Sequence, residues 1–184
     1  MTTREKILET TEDFILKNGT ENLTISKIAS QINLSQPAIY KHFKNKEDLM
    51  TTLALRFLNE QTLAALFSFD ASNYTQKADV IHDWIWTLAS SKRRAYEETP
   101  EMFALYTTYV GGNAELASAH ILELVESLQA TATLDSAEEA GTLLQIFAYF
   151  HHPKIAPQWD ENYQQQFENV WALVKENYTE KTVD

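Results

Sequence analysis

The 184-residue chain reads as all-α: an N-terminal three-helix module containing a helix-turn-helix, followed by a larger helical bundle. Three observations predict this. Gly and Pro number only four each beside 44% hydrophobic residues, too few turn-formers for a sheet protein and enough for long helices with short connections. Apolar residues recur at helical spacing in nine successive segments. Two of the shortest are joined by Asn33-Leu34-Ser35, the length of turn that sets one short helix across another.

Ile7, Leu8, Thr11, Phe14 and Ile15 fall on one stripe within residues 3 to 18, and Asn18-Gly19 supplies the left-handed residue that ends such a helix. Thr24 precedes Ile25, Ile28, Ala29 and Ile32, a short second helix that Asn33 stops. Ser35 is placed to cap a third, which has Pro37 in its first turn, where a missing N–H does no harm, and runs to about Phe43. Asn45 caps a fourth with Glu47 and Asp48 in its first turn, and Leu49, Met50, Leu53, Phe57 and Leu58 carry it toward Phe67. Phe69 to Tyr74 reads as a loop.

Val80, Ile81, Trp84, Ile85 and Leu88 mark a fifth helix that ends near Lys92-Arg93-Arg94 or slightly later. Thr99-Pro100 opens a sixth, stopped by Gly111-Gly112. Ala117, Ile121, Leu124, Val125 and Leu128 give a seventh. Asp135-Ser-Ala-Glu138 resembles a capping box for an eighth, which carries Leu143, Leu144, Ile146, Phe147 and Phe150. Pro153 and Pro157 bracket a loop, and Phe167, Val170, Trp171, Val174 and Tyr178 define a ninth. The first module is expected over residues 1 to 48 and the second over 49 to 184.

No run of about 18 apolar residues occurs, and Met1 to Lys6 lack the apolar segment of a secretory signal, so a cytoplasmic protein without a membrane role is expected. Zero cysteines exclude disulfides, thiolate metal sites and cysteine nucleophiles. A net charge of -11 argues against indiscriminate binding to nucleic acid, which depends on neutralising phosphates. The charge is unevenly placed, however. Residues 1 to 50 carry seven Lys/Arg against seven Asp/Glu, and the remainder carries eight against nineteen. Only the first module can approach a polyanion without repulsion.

The run from Thr24 to Leu49 closely resembles the DNA-binding domain of the TetR family of bacterial one-component regulators, most strongly over Tyr40-Lys-His-Phe43 and Lys44-Asn-Lys46. The resemblance covers roughly residues 3 to 58. It implies a dimeric repressor on a palindromic operator in double-stranded DNA, released by a small-molecule effector, with no catalytic residues, no cofactor and no metal. Gln36 and Lys41 then reach base edges, and Pro37 and Ala38 give apolar contact to thymine methyls. Thr24, Ser26, Tyr40, His42 and Lys46 hold phosphates, Lys46 aided by the helix start beside it. Phe43 is read as packing. At Ser26 several relatives carry a basic residue, so the grip there is weaker or relocated to Lys27 or Lys44.

The second module has no local motif of comparable specificity. In the family, its last two long helices pair with those of a second subunit, which here assigns Leu143, Phe147, Phe150, Phe167, Val170, Trp171 and Val174 to a homodimer interface; the competing reading is that they close the subunit's own core. Trp84, Trp86, Phe103, Tyr106, Tyr109, Phe147 and Tyr149 exceed what a bundle this size needs and are candidates to line a pocket for a hydrophobic or aromatic effector, most of them being ordinary core. His82, His120 and the His151-His152 pair lack metal-ligand spacing. The rival function is a TetR-like helical interaction protein governed by a protein partner, or one with degenerate DNA binding. The polar set Gln36, Tyr40, Lys41, His42 and Lys46 favours DNA.

Overall fold

Thr2 starts the first helix by a reciprocal cap. Its hydroxyl accepts the Glu5 backbone N–H at 3.2 Å, and its own N–H donates to the Glu5 carboxylate at 2.6 Å. The helix that follows, α1 (Thr3–Asn18), buries Ile7, Leu8, Thr11, Phe14 and Ile15, the expected stripe, and stops where Gly19 adopts φ 77°. The computed structural model describes residues 1–179, in which α-helices and short 3₁₀ and π segments are joined by turns.

The first module continues with α2 (Ile25–Gln31) and α3 (Gln36–Tyr40), and α4 (Lys46–Leu58) leads out of it. Asn33, at φ 56°, is the left-handed residue between α2 and α3. Ser35 occupies the N-cap position of α3, but its hydroxyl makes no capping bond, and α3 is shorter than its sequence suggests because only turns follow Tyr40. Asn45 caps α4 as expected, accepting the Asp48 N–H at 2.7 Å. An Arg56 to Glu12 ion pair ties α4 to α1. Beyond Leu58 the chain widens into a π segment, Asn59–Leu63, and tightens again into α5 (Ala64–Phe67), so the long fourth helix is continuous but not uniformly α.

The second module is arranged around α6 (Lys77–Glu98), which runs one further turn past Lys92-Arg93-Arg94. Packed against it or its neighbours are α7 (Pro100–Tyr109), α8 (Ala114–Ala132), α9 (Ala137–Ile146), α10 (Ala148–His151) and α11 (Tyr163–Val174). Gly112 allows the turn after α7, since a Cβ there would lie 2.4 Å from the Thr108 carbonyl oxygen. The N-cap of α9 sits one residue later than expected. Ser136 accepts the Glu139 N–H at 3.1 Å, and the Glu139 carboxylate takes the Asp135 N–H. The predicted eighth helix breaks at Phe147 into α9 and α10, and the loop between the prolines coils into a 3₁₀ turn, Pro153–Gln158.

One bond set locks the last helix in place. The Tyr163 hydroxyl lies within reach of both the Ala89 and Phe150 carbonyls, which share its single proton, and His82 of α6 faces Glu168 at 3.2 Å. Leu143, Phe147, Phe150, Phe167 and Trp171 all lie in this subunit's core. Their assignment to a partner-facing surface is therefore corrected, because side chains buried inside the bundle, their rings packed tilted or edge-on against one another, offer no face to a second chain. Val170 and Val174 are half-buried at the edge. The seventh-helix stripe is also rotated: His120 is buried in it, whereas Ile121 is 42% exposed.

Candidate functional site

Two features stand out, one in each module. In the first, Ile39 and Phe43 point inward and are fully buried, which fixes α3 against α1 and α2. The Arg4 guanidinium caps the Phe43 ring at 4.9 Å. With those two anchored, Gln36, Pro37, Tyr40, Lys41 and His42 are exposed and Ala38 half-exposed, all on the outward side of one short segment. Thr24 and Ser26 lie exposed at the start of α2. The Thr24 oxygen caps that helix by accepting the Lys27 N–H at 3.3 Å, which leaves its proton for an outside acceptor.

The cations nearby divide by what they already hold. Lys46 donates to the Leu23 carbonyl at 2.6 Å and Lys27 to the Asn22 carbonyl at 2.7 Å, so each pins the loop before α2. Lys41 and Lys44 are exposed. The expected phosphate grip of Lys46 is thereby qualified: its ammonium is partly buried and engaged within the module.

In the second module a cavity of about 70 Å³ lies between α6, α7, α8 and the end of α10. At its wall Lys92 is 1% exposed, and its Nζ lies 3.0 Å from the Tyr106 hydroxyl and 3.1 Å from His120 Nε2. No Asp or Glu lines this space. Burial alone pulls the lysine down from its ordinary 10.5 to about 7. His120 is pushed down to about 2, by burial first and then by Lys92 and His151, and His120 Nδ1 has no partner. His151 donates from Nε2 to the Leu144 carbonyl at 2.9 Å and is lowered to about 4 by burial and by Lys92. Among the described residues, no group of three His, Cys, Asp or Glu is placed to hold a metal ion.

Residues 7–53 match the family model of the bacterial regulatory proteins, tetR family, and residues 78–171, about half of the chain, match that of the tetracyclin repressor-like C-terminal domain. The chain belongs to the tetR family. Among curated members, the tetracycline repressor protein class C of Escherichia coli is 39% identical over 51 residues, which is 28% of this chain and 23% of that protein. The match thus spans about a quarter of the curated relatives' length. Over the whole fold, a structure of BioQ with its double-stranded DNA operator has a TM-score of 0.62 at 16% identity, covering 96% of this chain and 99% of that one. A TetR variant of Acinetobacter baumannii in complex with minocycline has a TM-score of 0.57 at 18% identity, covering 98% and 100%. At such identities the likeness concerns the fold.

Within this tetR-family fold, the residues expected to bind DNA are exposed or half-exposed at the start of α2, on α3 and in the turn after it, Lys46 excepted, whereas those expected to bind an effector do not gather at one cavity. Tyr106 alone of the aromatic candidates lines the Lys92 cavity. Trp84 and Phe147 are fully buried core, and Trp86 packs on Tyr163 and Phe167. Phe103 sits among Tyr96, Tyr106 and Trp159, and the Tyr149 hydroxyl holds the Gln158 carbonyl. Tyr109 lies at the seam between α7 and the start of α4, beside Lys46 and Glu47. From the sequence, His120 and His151 are weighed only as metal ligands and Lys92 only as part of a helix end. Lys92 follows Leu88 by four residues on the apolar stripe of α6, and that register is the signal that marks it as inward-facing.

Proposed function

We propose that the chain is a dimeric transcriptional regulator in which residues 1–48 hold an inverted-repeat DNA operator and residues 49–184 sense a small molecule that releases it. The observation that carries this reading is the outward set Gln36, Tyr40, Lys41 and His42 on α3 and the turn after it, presented by the buried pair Ile39 and Phe43 within the tetR-family domain. Gln36 and Lys41 read base edges, Pro37 and Ala38 meet thymine methyls, and Thr24, Ser26, Tyr40 and His42 donate to phosphates. Lys44 supplies charge while Lys46 and Lys27 brace the loop. The fold neighbours solved with an operator and with minocycline support the two-site arrangement.

Pairing of two subunits follows from α9 and α11, where Ile146 is 44% and Leu173 82% exposed beside Val170 and Val174. Coupling follows from α7, which packs on both α1 and α4 and supplies Tyr106 to the cavity wall, with Val110 and Gly111 coming from the turn after it. A ligand that favours one position of α7 alters the spacing of the two recognition helices and shifts operator affinity by its differential affinity for the two states.

Fluorescence anisotropy of the intact chain on selected duplexes, titrated with salt, tests the DNA reading. Gln36→Ala should change preference among sequences by about 1–3 kcal/mol at one position. Tyr40→Phe and Lys44→Ala should weaken binding to all sequences alike, the latter with a salt slope lower by about 1. Lack of sequence discrimination at low salt would sink the proposal. Lys46→Ala should both weaken binding uniformly and lower the unfolding midpoint, since the Leu23 carbonyl loses its donor, at about 1 kcal/mol; calorimetry alongside the anisotropy separates the two effects.

A further inference from the structure

We infer that the cavity beside Lys92 binds a small organic acid, the ligand's carboxylate seated against Lys92 Nζ and the Tyr106 hydroxyl and its apolar part lying toward Val110, Ala117 and Ile121. This rests on the reading of that cavity as the effector site and names the ligand's chemical class.

Hydrogen-bond accounting leads to it. If Lys92 is an ammonium, it donates to the Tyr106 oxygen and to His120 Nε2, which leaves its third N–H, the Tyr106 O–H and the orphaned His120 Nδ1–H without acceptors. If Lys92 is neutral, it accepts either from Tyr106, which leaves its second N–H and the His120 Nδ1–H surplus, or from His120 Nε2–H, which leaves its second N–H and the Tyr106 O–H surplus against one free acceptor at Nδ1. Either way the cluster holds donors in excess at a wall that contains no carboxylate of its own. His151, the other titratable group at the buried end, already donates to the Leu144 carbonyl, and His152 accepts the Lys154 N–H, so neither relieves the surplus. A carboxylate is an acceptor-only group whose charge matches the lysine, and against a buried ammonium such charge-assisted bonds are the strong ones. The remaining wall is largely apolar and the space is only about 70 Å³, which suits a short alkyl acid and excludes a ringed one.

Calorimetry of the full chain with acetate, propionate and butyrate, each paired with its neutral amide, tests this. At least one acid should bind more tightly than its amide, by on the order of tenfold or more. At pH 8 its binding should take up a proton, read from titrations in two buffers of different ionisation enthalpy, because a carboxylate raises the affinity of Lys92 for its proton. Lys92→Met should abolish the preference for acid over amide, and its melting curve reports that it folds. Tyr106→Phe should weaken the acid several-fold and keep the preference. Equal binding of acid and amide, an unchanged preference in Lys92→Met, or no binding by any of the acids overturns the inference. Adding the same acids to an operator complex separates the two readings: acids that bind the protein without affecting DNA overturn the effector role and leave the ligand class standing, whereas operator binding that is specific while no acid binds leaves the regulator standing and removes the ligand class.

Discussion

Between pH 7 and pH 10 the protein should become markedly more stable, and Lys92→Met should remove most of that slope. Lys92 is buried without a counter-charge and holds its proton only below about 7, whereas the unfolded chain holds it to 10.5. Across that window the unfolded state binds more protons, so stability rises with pH, and below it this lysine contributes no further change. At 1.36 kcal/mol per pH unit, the full window is worth on the order of 5 kcal/mol. The methionine variant, apolar and of similar length, should already possess that stability at pH 7. His120 and His151 act in the same direction at lower pH. Held neutral in the fold with values of about 2 and about 4, they leave the unfolded chain to take up protons from 6.5 downward, so stability falls on acidification from 6.5 through 4. Above pH 10 the sign reverses, because burial raises Tyr106 and Tyr163 above their ordinary value and only the unfolded chain loses those protons. Urea unfolding at fixed ionic strength across this range gives the profile. A flat profile from pH 7 to 10 in the wild-type chain would contradict the buried, uncompensated lysine.

Phe147→Ala should cost about 3–5 kcal/mol of subunit stability, while a change at the adjacent Ile146 should alter assembly and little else. Phe147 is fully buried, with its ring 5.0 Å from that of Phe167 and 6.4 Å from that of Trp171, so truncation leaves a cavity that the packed helices cannot close. Ile146 is 44% exposed on the neighbouring turn. Ile146→Ser should change subunit stability by within about 0.5 kcal/mol and weaken self-association. Unfolding midpoints at low protein concentration read the first effect, and sedimentation velocity reads the second. A Phe147→Ala protein that lost its pairing with an unchanged midpoint would restore that ring to the interface.

The contrast between these two neighbours shows what was legible in the sequence. Periodicity placed the buried stripe of α1 without error and set most other helices to within a turn, because caps such as Asn45 and breakers such as Gly19 and Pro100 act locally. It also gave the inward and outward sides of the α3 segment, since Ile39 and Phe43 are buried and the polar residues between and after them face out. What it does not resolve is which of two apolar surfaces a stripe meets: Leu143, Phe150 and Phe167 are as apolar for a core as for a partner, and only tertiary packing chooses. The Lys92 site was hidden for another reason. A run of three cations reads as a helix terminus, yet successive residues on a helix point about 100° apart, so one of the three enters the core while Arg93 and Arg94 remain outside it. Of the aromatic surplus, Tyr106 borders the Lys92 cavity, Tyr109 and Phe103 border surface grooves, and Trp84, Trp86 and Phe147 pack inside the bundle.

The central claim, that α3 reads DNA as one of a symmetric pair, is tested most directly by selecting duplexes from a random pool with the purified full chain and sequencing those retained. The account predicts enrichment of an inverted repeat whose half-sites lie about 34 Å apart or a multiple of that, with the preferred bases shifting in Gln36→Ala. A retained pool with no enriched sequence would contradict it.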